Sequence, residues 1–576
     1  MLKETIKKIS NNKYFIPIFI IVINILFFLM CNKAFTPKYE QVDDFIIMNL
    51  ISKSDGNYNI YGVQMHPIIC GIIILLYKTS ININWYTIFM LGMQFLSFTI
   101  IGTVFCKKSK IIGLPLYISF LFIMYTKVLR YIQYTTVSML CIASGTILLM
   151  HSMEKDNKIG LLFALLMVSL GCMIRFSTII IAVPFILLFF IFNYLKNKEK
   201  KHLKIMIILI LLVLLINVSF NVFYNINPTY REFLKFHDVR TYLHDYNWLY
   251  YENNKEVFNN INWSENDRNI FYAYCYGDEN VYNTETLEKL KESAINNQGK
   301  ENIIEKFITT IRTLGYYITT TDYMYIILVI FLIIIYIYNN LFVNVGNKQR
   351  KNKNALLNIF FSNFVFMIAI GLHGVFIWLN RPMLRVIISI YIMAMAILMY
   401  GLLDNIKELK KIKNILILTL IFVIGIVEFK TNVNYARYYN IENFKVYREI
   451  IDYTGAHKEN AYLYTLSMRD RFLAYSIYEK IEDDKLSNIR PLGDWDTYTK
   501  NYYDFKERYN IENLIESLYK KDNIYLISGN IIWKEKFTQY ITIVEKYIEE
   551  HYNIDIECNV VKEFENNIKI YKLQEK

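Results

Sequence analysis

Apolar residues in this chain gather into long runs rather than alternating with polar ones, and stretches such as Ile205 to Val222 and Tyr325 to Tyr338 present no polar face. A run of about 18 or more apolar residues is long enough to cross a bilayer core, whereas a soluble helix keeps a polar stripe. The pattern predicts eleven membrane spans: Tyr14–Met30, Trp85–Phe105, Ile111–Tyr125, Tyr134–Met150, Gly160–Ile174, Phe176–Leu195, Ile205–Phe223, Met324–Phe342, Leu356–Trp378, Met383–Leu403 and Ile415–Val427. The apolar segment His66 to Tyr77 is short for a span and reads as an interfacial or re-entrant helix, with Pro67 tolerated at its start.

Between the spans, Lys and Arg cluster in Lys107-Lys108-Ser109-Lys110, His151 to Lys158, Lys196 to Lys204, Lys348 to Lys353 and Lys407 to Lys413. Short basic loops stay on the cytoplasmic side, so an inside N-terminus places every one of them inside. Counting His66 to Tyr77 as a crossing would invert that order. Three polar regions are then expected outside: Cys31 to Asn84, Tyr224 to Asp322 and Glu428 to Lys576. The chain therefore divides into a transmembrane domain over 1–428, with outer loops 31–84 and 224–322, and a soluble domain over 429–576. Strand-like runs at Ala461–Leu466, Asn523–Ile527, Ile554–Val561 and Ile568–Leu573, with helix-like runs at Ile511–Lys520 and Lys534–Glu549, make that tail a small α/β domain. In the middle region, Ser264 and Asp267 have the spacing of a capping box.

Composition agrees with a polytopic α-helical membrane protein: 54% of the 576 residues are hydrophobic. The net charge of +12 resides in those short clusters, which argues for topology signals and against a nucleic-acid partner. Seven scattered cysteines without a CxxC support neither a disulfide framework nor a metal cluster, and Cys275 and Cys558 would meet only if their two polar regions did, which is not expected. The basic N-terminus and first apolar stretch lack a small-residue cleavage site, so a retained first helix is expected. The Ile, Asn, Lys and Tyr bias fits an AT-rich bacterial genome.

No GxxxxGK[ST], strand-linked GxGxxG, HExxH or GxSxG occurs, which removes the usual signatures of ATP-driven transport, dinucleotide chemistry, zinc hydrolysis and serine hydrolysis. His237 and His244, seven apart, are weak metal candidates, so no metal site is assigned. The acidic pair Asp43-Asp44, between an outward-ending span and the run Phe45 to Ile51, has two readings. Either carboxylate can accept from free helix amides, worth roughly 1 kcal/mol, or take a proton from an acceptor hydroxyl at the membrane surface. Adjacent residues point in different directions, so one can cap while the other catalyses.

Basic residues at outward span ends run against the topology rule and call for another purpose. These are Lys127 and Arg130 after the third span, Arg175 in the turn between the fifth and sixth, and Arg381 and Arg385 around Pro382. Snorkelling to lipid headgroups explains any one of them, while several on one face suit a phosphate-bearing lipid head. Tyr61, Trp85 and Trp248 could stack on sugar, and equally belong to an interfacial aromatic belt.

Asp43-Asp44 in the first outer loop, His66-Pro67, Arg175 and Arg381-Pro382-Met383-Leu384-Arg385, on a many-helix core with an outer C-terminal domain, resemble the GT-C-type membrane glycosyltransferase superfamily. That superfamily includes protein O-mannosyltransferases and aminoarabinose transferases. The stretch Trp263 to Leu290 is similar to uncharacterised clostridial multi-pass proteins of this kind. The resemblance implies a multi-pass protein of the bacterial cytoplasmic membrane with its C-terminal domain outside. It also implies a polyprenyl-phosphate sugar donor and an envelope glycan, lipid or protein acceptor. Asp43 would be the base, Asp44 an orienting or capping group, and His66, Arg175, Arg381, Arg385, Lys127 and Arg130 the donor-phosphate side. Better-known members often carry Asp then Glu where this chain has Asp then Asp. No cofactor is assigned; a divalent metal stays open, with no evident ligand cluster to hold it. The competing readings are a transporter or flippase of lipid-linked glycans, for which no internal repeat is evident, and a non-catalytic envelope-binding protein.

Overall fold

The computed structural model describes residues 14–80, 82–109, 112–246, 248–298, 303–319, 353–405, 412–437, 441–533 and 536–576, with isolated positions between 330 and 337. Among them, seven helices are long and apolar enough to cross a membrane: Phe15–Ala34, Trp85–Lys108, Tyr134–Glu154, Ser177–Lys196, Lys201–Ile226, Leu357–Trp378 and Leu384–Leu403. The expected span Gly160–Ile174 is a shorter apolar helix, Lys158–Ile174, and Ile415–Val427 lies inside a helix Ile412–Arg437. Apart from those isolated positions, the expected span Met324–Phe342 lies outside the described residues.

Two helices form the bundle's interior, Tyr134–Glu154 and Leu384–Leu403, whose apolar windows are 94% and 89% buried. The more exposed helices Phe15–Ala34 and Lys201–Ile226 turn Leu and Ile outward, among them Leu26 and Leu215, as helices facing lipid do. Small side chains allow close approach where the central helix meets its partner: a Cβ on Gly145 or Gly171 would collide with backbone of the facing helix.

The third predicted span is corrected. Helix Gly113–Phe120 passes into a π-helical turn, Leu121–Tyr125, and continues as Thr126–Arg130, so Lys127 and Arg130 sit on a buried helical turn rather than in a loop. Burial is tolerated because Lys127 forms an ion pair with Glu428 of the Ile412–Arg437 helix, both side chains having no exposed surface. Glu428 also accepts from Asn432 Nδ2 at 2.9 Å, and Arg130 packs on the Tyr131 ring at 4.3 Å.

Outside the bundle, a five-stranded sheet has the order β4-β3-β5-β9-β8, with β3 at Ala461–Tyr464, β4 at Ile489–Pro491, β5 at Ile524–Ser528, β8 at Ile556–Glu563 and β9 at Lys569–Glu575. β3, β4 and β5 are parallel, and β9 joins β5 and β8 antiparallel. The four strand-like runs thus pair as one sheet, while β4 carries too little alternation to announce itself. The predicted helix over Lys534–Glu549 is shorter, Tyr540–Tyr552, because β7 (Lys536–Gln539) pairs with β6 (Asn530–Trp533) as a hairpin. In the membrane-proximal part, β1 (Lys38–Tyr39) runs parallel to β2 (Tyr131–Ile132).

The middle region and the tail share one core, which overturns the expectation that they stay apart. Phe271, Tyr276 and Tyr282 pack with Leu514, Leu526 and Tyr547. Buried Asp278 accepts from Asn513 Nδ2 at 2.7 Å, Tyr547 Oη at 2.9 Å and Tyr552 Oη at 2.6 Å. The Ser264–Asp267 capping box forms in full, and Asp267 also meets His551 Nε2 at 2.6 Å. Cys275 and Cys558 belong to this shared core region, and both are free thiols.

Candidate functional site

The first outer loop is built by local pairing before any long-range contact acts. β1 and β2 place Glu40 beside the start of the central helix, with the Glu40 N–H donating to the Ile132 carbonyl at 3.1 Å. A short helix Val42–Ser52 follows, buried through Phe45, Ile47, Met48 and Ile51, so that its first turn presents Asp43 and Asp44 in different directions.

The two aspartates separate cleanly. Asp44 is fully buried, and its Oδ1 accepts from Tyr86 Oη at 2.7 Å and from the Tyr134 backbone N–H at 3.0 Å. The capping reading is therefore realised on another helix: Gln41, not either aspartate, holds the N-cap position of Val42–Ser52, while Asp44 serves an N-terminal amide of Tyr134–Glu154. Burial raises the Asp44 carboxyl well above its usual range, opposed by the Tyr86 hydroxyl. Asp43 keeps part of its side chain open and lies 3.7 Å from the Arg385 guanidinium.

Arg385, at the head of the second central helix, is 4% exposed, and its Nε and Nη1 are buried with no hydrogen-bond partner. A buried guanidinium with spare donors is costly unless something else receives them. Glu40, which sequence reasoning passed over, faces the same group: burial pushes its carboxyl up to about 7, against the pull of Arg385 and Arg175. Arg175 caps the Lys158–Ile174 helix and donates from Nε to Ser177 Oγ at 2.9 Å, with its Nη1 on Thr135 and its plane 4.8 Å from the Tyr134 ring centre. Arg381, in the segment just before the helix that carries Arg385, pairs with Asp245 at 2.8 Å and lies over the Tyr246 ring at 4.6 Å.

The remaining predicted residues are placed elsewhere. Lys127 and Arg130 belong to the Glu428 cluster. His66 caps helix Pro67–Thr79, accepting from the Ile68 N–H at 3.2 Å, while its Nε2 meets Ser219 Oγ at 2.9 Å. The expected helix start at His66-Pro67 is thus observed, and the His66 ring is engaged on both nitrogens. His237 and His244 are held among aromatic rings, the first against Phe233 and the second 4.0 Å from Tyr274, and burial pushes both imidazoles down to about 3. Among the described residues, no group of three His, Cys, Asp or Glu converges as metal ligands.

No protein-family profile matches the chain, and no curated protein matches it. Among solved structures it is similar to the crystal structure of ArnT from Cupriavidus metallidurans in the apo state, at 10% identity and a TM-score of 0.39, over 96% of this chain and 97% of that one. The same protein bound to undecaprenyl phosphate aligns over the same shares at 9% identity and a TM-score of 0.38.

Asp43 also lines a cleft of about 210 Å³ between the first loop, the middle region and the carboxyl edge of the sheet. At the opposite end of the bundle, Lys108 pairs with Glu154 at 3.2 Å, Tyr400 Oη donates to Glu154 at 2.9 Å, and Lys201 pairs with Asp156 at 2.6 Å. The described parts of three of the basic loops, 107–109, 151–158 and 196–204, therefore gather at the end away from Asp43 and Arg385.

Proposed function

We propose that this chain is a GT-C-type glycosyltransferase that moves a sugar from a polyprenyl-phosphate donor to a cell-envelope acceptor on the outer face of the cytoplasmic membrane. The observation that carries this reading is the buried Arg385, whose Nη2 lies 3.7 Å from a partly open Asp43 while its Nε and Nη1 have no hydrogen-bond partner. A guanidinium so placed matches phosphate oxygens, and a carboxylate beside it suits an attacking hydroxyl. The gathering of basic loops at the far end supports an outward-facing site.

In this mechanism Asp43 accepts the acceptor hydroxyl proton as that oxygen bonds to the anomeric carbon. The bond from the anomeric carbon to the donor phosphate breaks, and its electron pair leaves on the phosphate oxygen. Arg385 receives that growing charge, with Arg175 and Arg381 setting the surrounding field, the kind of fixed donor arrangement that usually contributes most to rate. Asp44 orients the loop through Tyr86 and the Tyr134 amide. Lys127, Arg130 and His66 hold the scaffold. The lipid-linked sugar supplies the driving force, so nucleotide hydrolysis is not required.

Asp43→Asn in folded, membrane-reconstituted protein should abolish transfer from a labelled polyprenyl-phosphate hexose, while Asp44→Asn should chiefly lower the unfolding temperature. Undiminished turnover in Asp43→Asn would refute the assignment.

A further inference from the structure

The cleft beside Asp43 has a second wall that the sequence did not announce. β3 and β4 end at Tyr464 and Pro491, and the segments that follow them, Thr465-Leu466 and Gly493-Asp494-Trp495, line it together with Tyr274. From β3 the chain passes to β4 on one side, and from β4 it crosses to β5 on the other, because the order is β4-β3-β5. Ligands of open α/β sheets settle outside the carboxyl ends of strands where the connections part in this way. Gly493 makes the approach achievable: a Cβ there would lie 2.6 Å from the Tyr276 backbone nitrogen. Any larger residue would push Asp494 away from the middle region.

The lining chemistry narrows the ligand. Asp43 and Asp494 are balanced by Arg469 and Arg471, so the wall carries no net charge and does not select a polyanion. Arg471 is fixed, donating to the Met468 carbonyl at 3.1 Å with its plane 4.7 Å from the Tyr464 ring centre. Asp494 Oδ1 is oriented by the Trp495 backbone N–H at 2.7 Å, and the Trp495 indole N–H is buried with no partner. Oriented planar donors and acceptors alternating with aromatic faces match vicinal hydroxyls and the C–H face of a sugar ring, and about 210 Å³ suits one ring rather than a folded partner.

We infer that this cleft is the acceptor subsite and that it binds a neutral saccharide, with Asp494 and Trp495 as its reading residues. The inference rests on the transferase reading only for the word acceptor; the saccharide site itself stands on the cleft. A peptide with a free hydroxyl is the competing ligand, and it lacks the run of vicinal hydroxyls that paired carboxylate and guanidinium groups would reward.

The test measures binding without donor, so its outcome is independent of whether transfer occurs. Full-length protein in lipid nanodiscs is titrated by saturation-transfer NMR with maltotriose, triacetylchitotriose and the tripeptide Gly-Ser-Gly. At least one oligosaccharide should bind, and Asp494→Asn and Trp495→Leu should each weaken it by about tenfold or more, a loss of about 1.4 kcal/mol. Trp495→Phe, which keeps an aromatic face, should bind more tightly than Trp495→Leu at an unchanged unfolding temperature. Absence of saccharide binding, equal binding in the Asp494 and Trp495 variants, or binding of the tripeptide alone would overturn the inference. Saccharide binding without any transfer from a lipid-phosphate sugar would overturn the transferase reading and leave this site standing.

Discussion

Two buried cations of this protein look alike in sequence and differ in what surrounds them. Lys127 and Arg385 each sit beside apolar helical residues, and each is nearly or wholly shielded from solvent. Lys127 pairs directly with Glu428, which also accepts from Asn432 on its own helix, so the lysine charge is matched by a carboxylate in contact. Arg385 meets Asp43 loosely and Glu40 nearby, with two buried guanidinium nitrogens left over beside the residue that lines the cleft. A buried charge with matched partners holds elements together, whereas one with spare donors is arranged for something that arrives. Burial alone, which is all that a hydrophobic context in sequence suggests, does not separate the two.

The comparison can be broken most forcefully at the matched pair. Lys127→Met should strand Glu428 and cost about 3–5 kcal/mol of stability, read as a large fall in unfolding temperature in detergent. The double variant Lys127→Met with Glu428→Leu should recover most of it, because no uncompensated charge remains. Recovery of stability without recovery of any transfer would show that Lys127 also serves the site.

Arg385→Gln should do the reverse, lowering transfer by about 10²–10³-fold while moving the unfolding temperature little. Glu40→Gln sharpens the point. Burial pushes the Glu40 carboxyl up to about 7, so on the acid side of that value it should be protonated and Arg385 should lack one of its counter-charges. The pH profile of transfer in the parent should carry an inflection near pH 7 that Glu40→Gln removes, whereas a structural role would leave the inflection in place.

The smallest effect is expected in the outer body. His551 gains Asp267 as a hydrogen-bond partner on folding, which raises its pKa above the usual 6.5. Its contribution is fully present below about pH 6.5 and is lost as pH rises through the elevated folded value. Being half-buried, the pair should contribute no more than about 1 kcal/mol. His551→Gln should flatten the corresponding fall in unfolding temperature with rising pH and leave the Lys127 and Arg385 effects unchanged.

Much of this was written locally in the chain. Uninterrupted apolar runs determined the long helices, short strand-like runs marked β3, β5, β8 and β9, and the spacing of Ser264 and Asp267 determined a capping box. These follow from interactions within a few residues, so neighbours in sequence suffice to read them. The acidic pair Asp43-Asp44 could likewise be singled out, and so could the rule that its members must point apart. Only tertiary structure assigned the parts. Asp44 is committed to Tyr86 and the Tyr134 amide, Lys127 is matched to Glu428, Glu40 is brought to Arg385, and Gly493 lets Asp494 close on the middle region. Each of those pairings joins residues far apart along the chain, and the energy of a buried charge depends on which partner the fold delivers to it rather than on its neighbours in sequence.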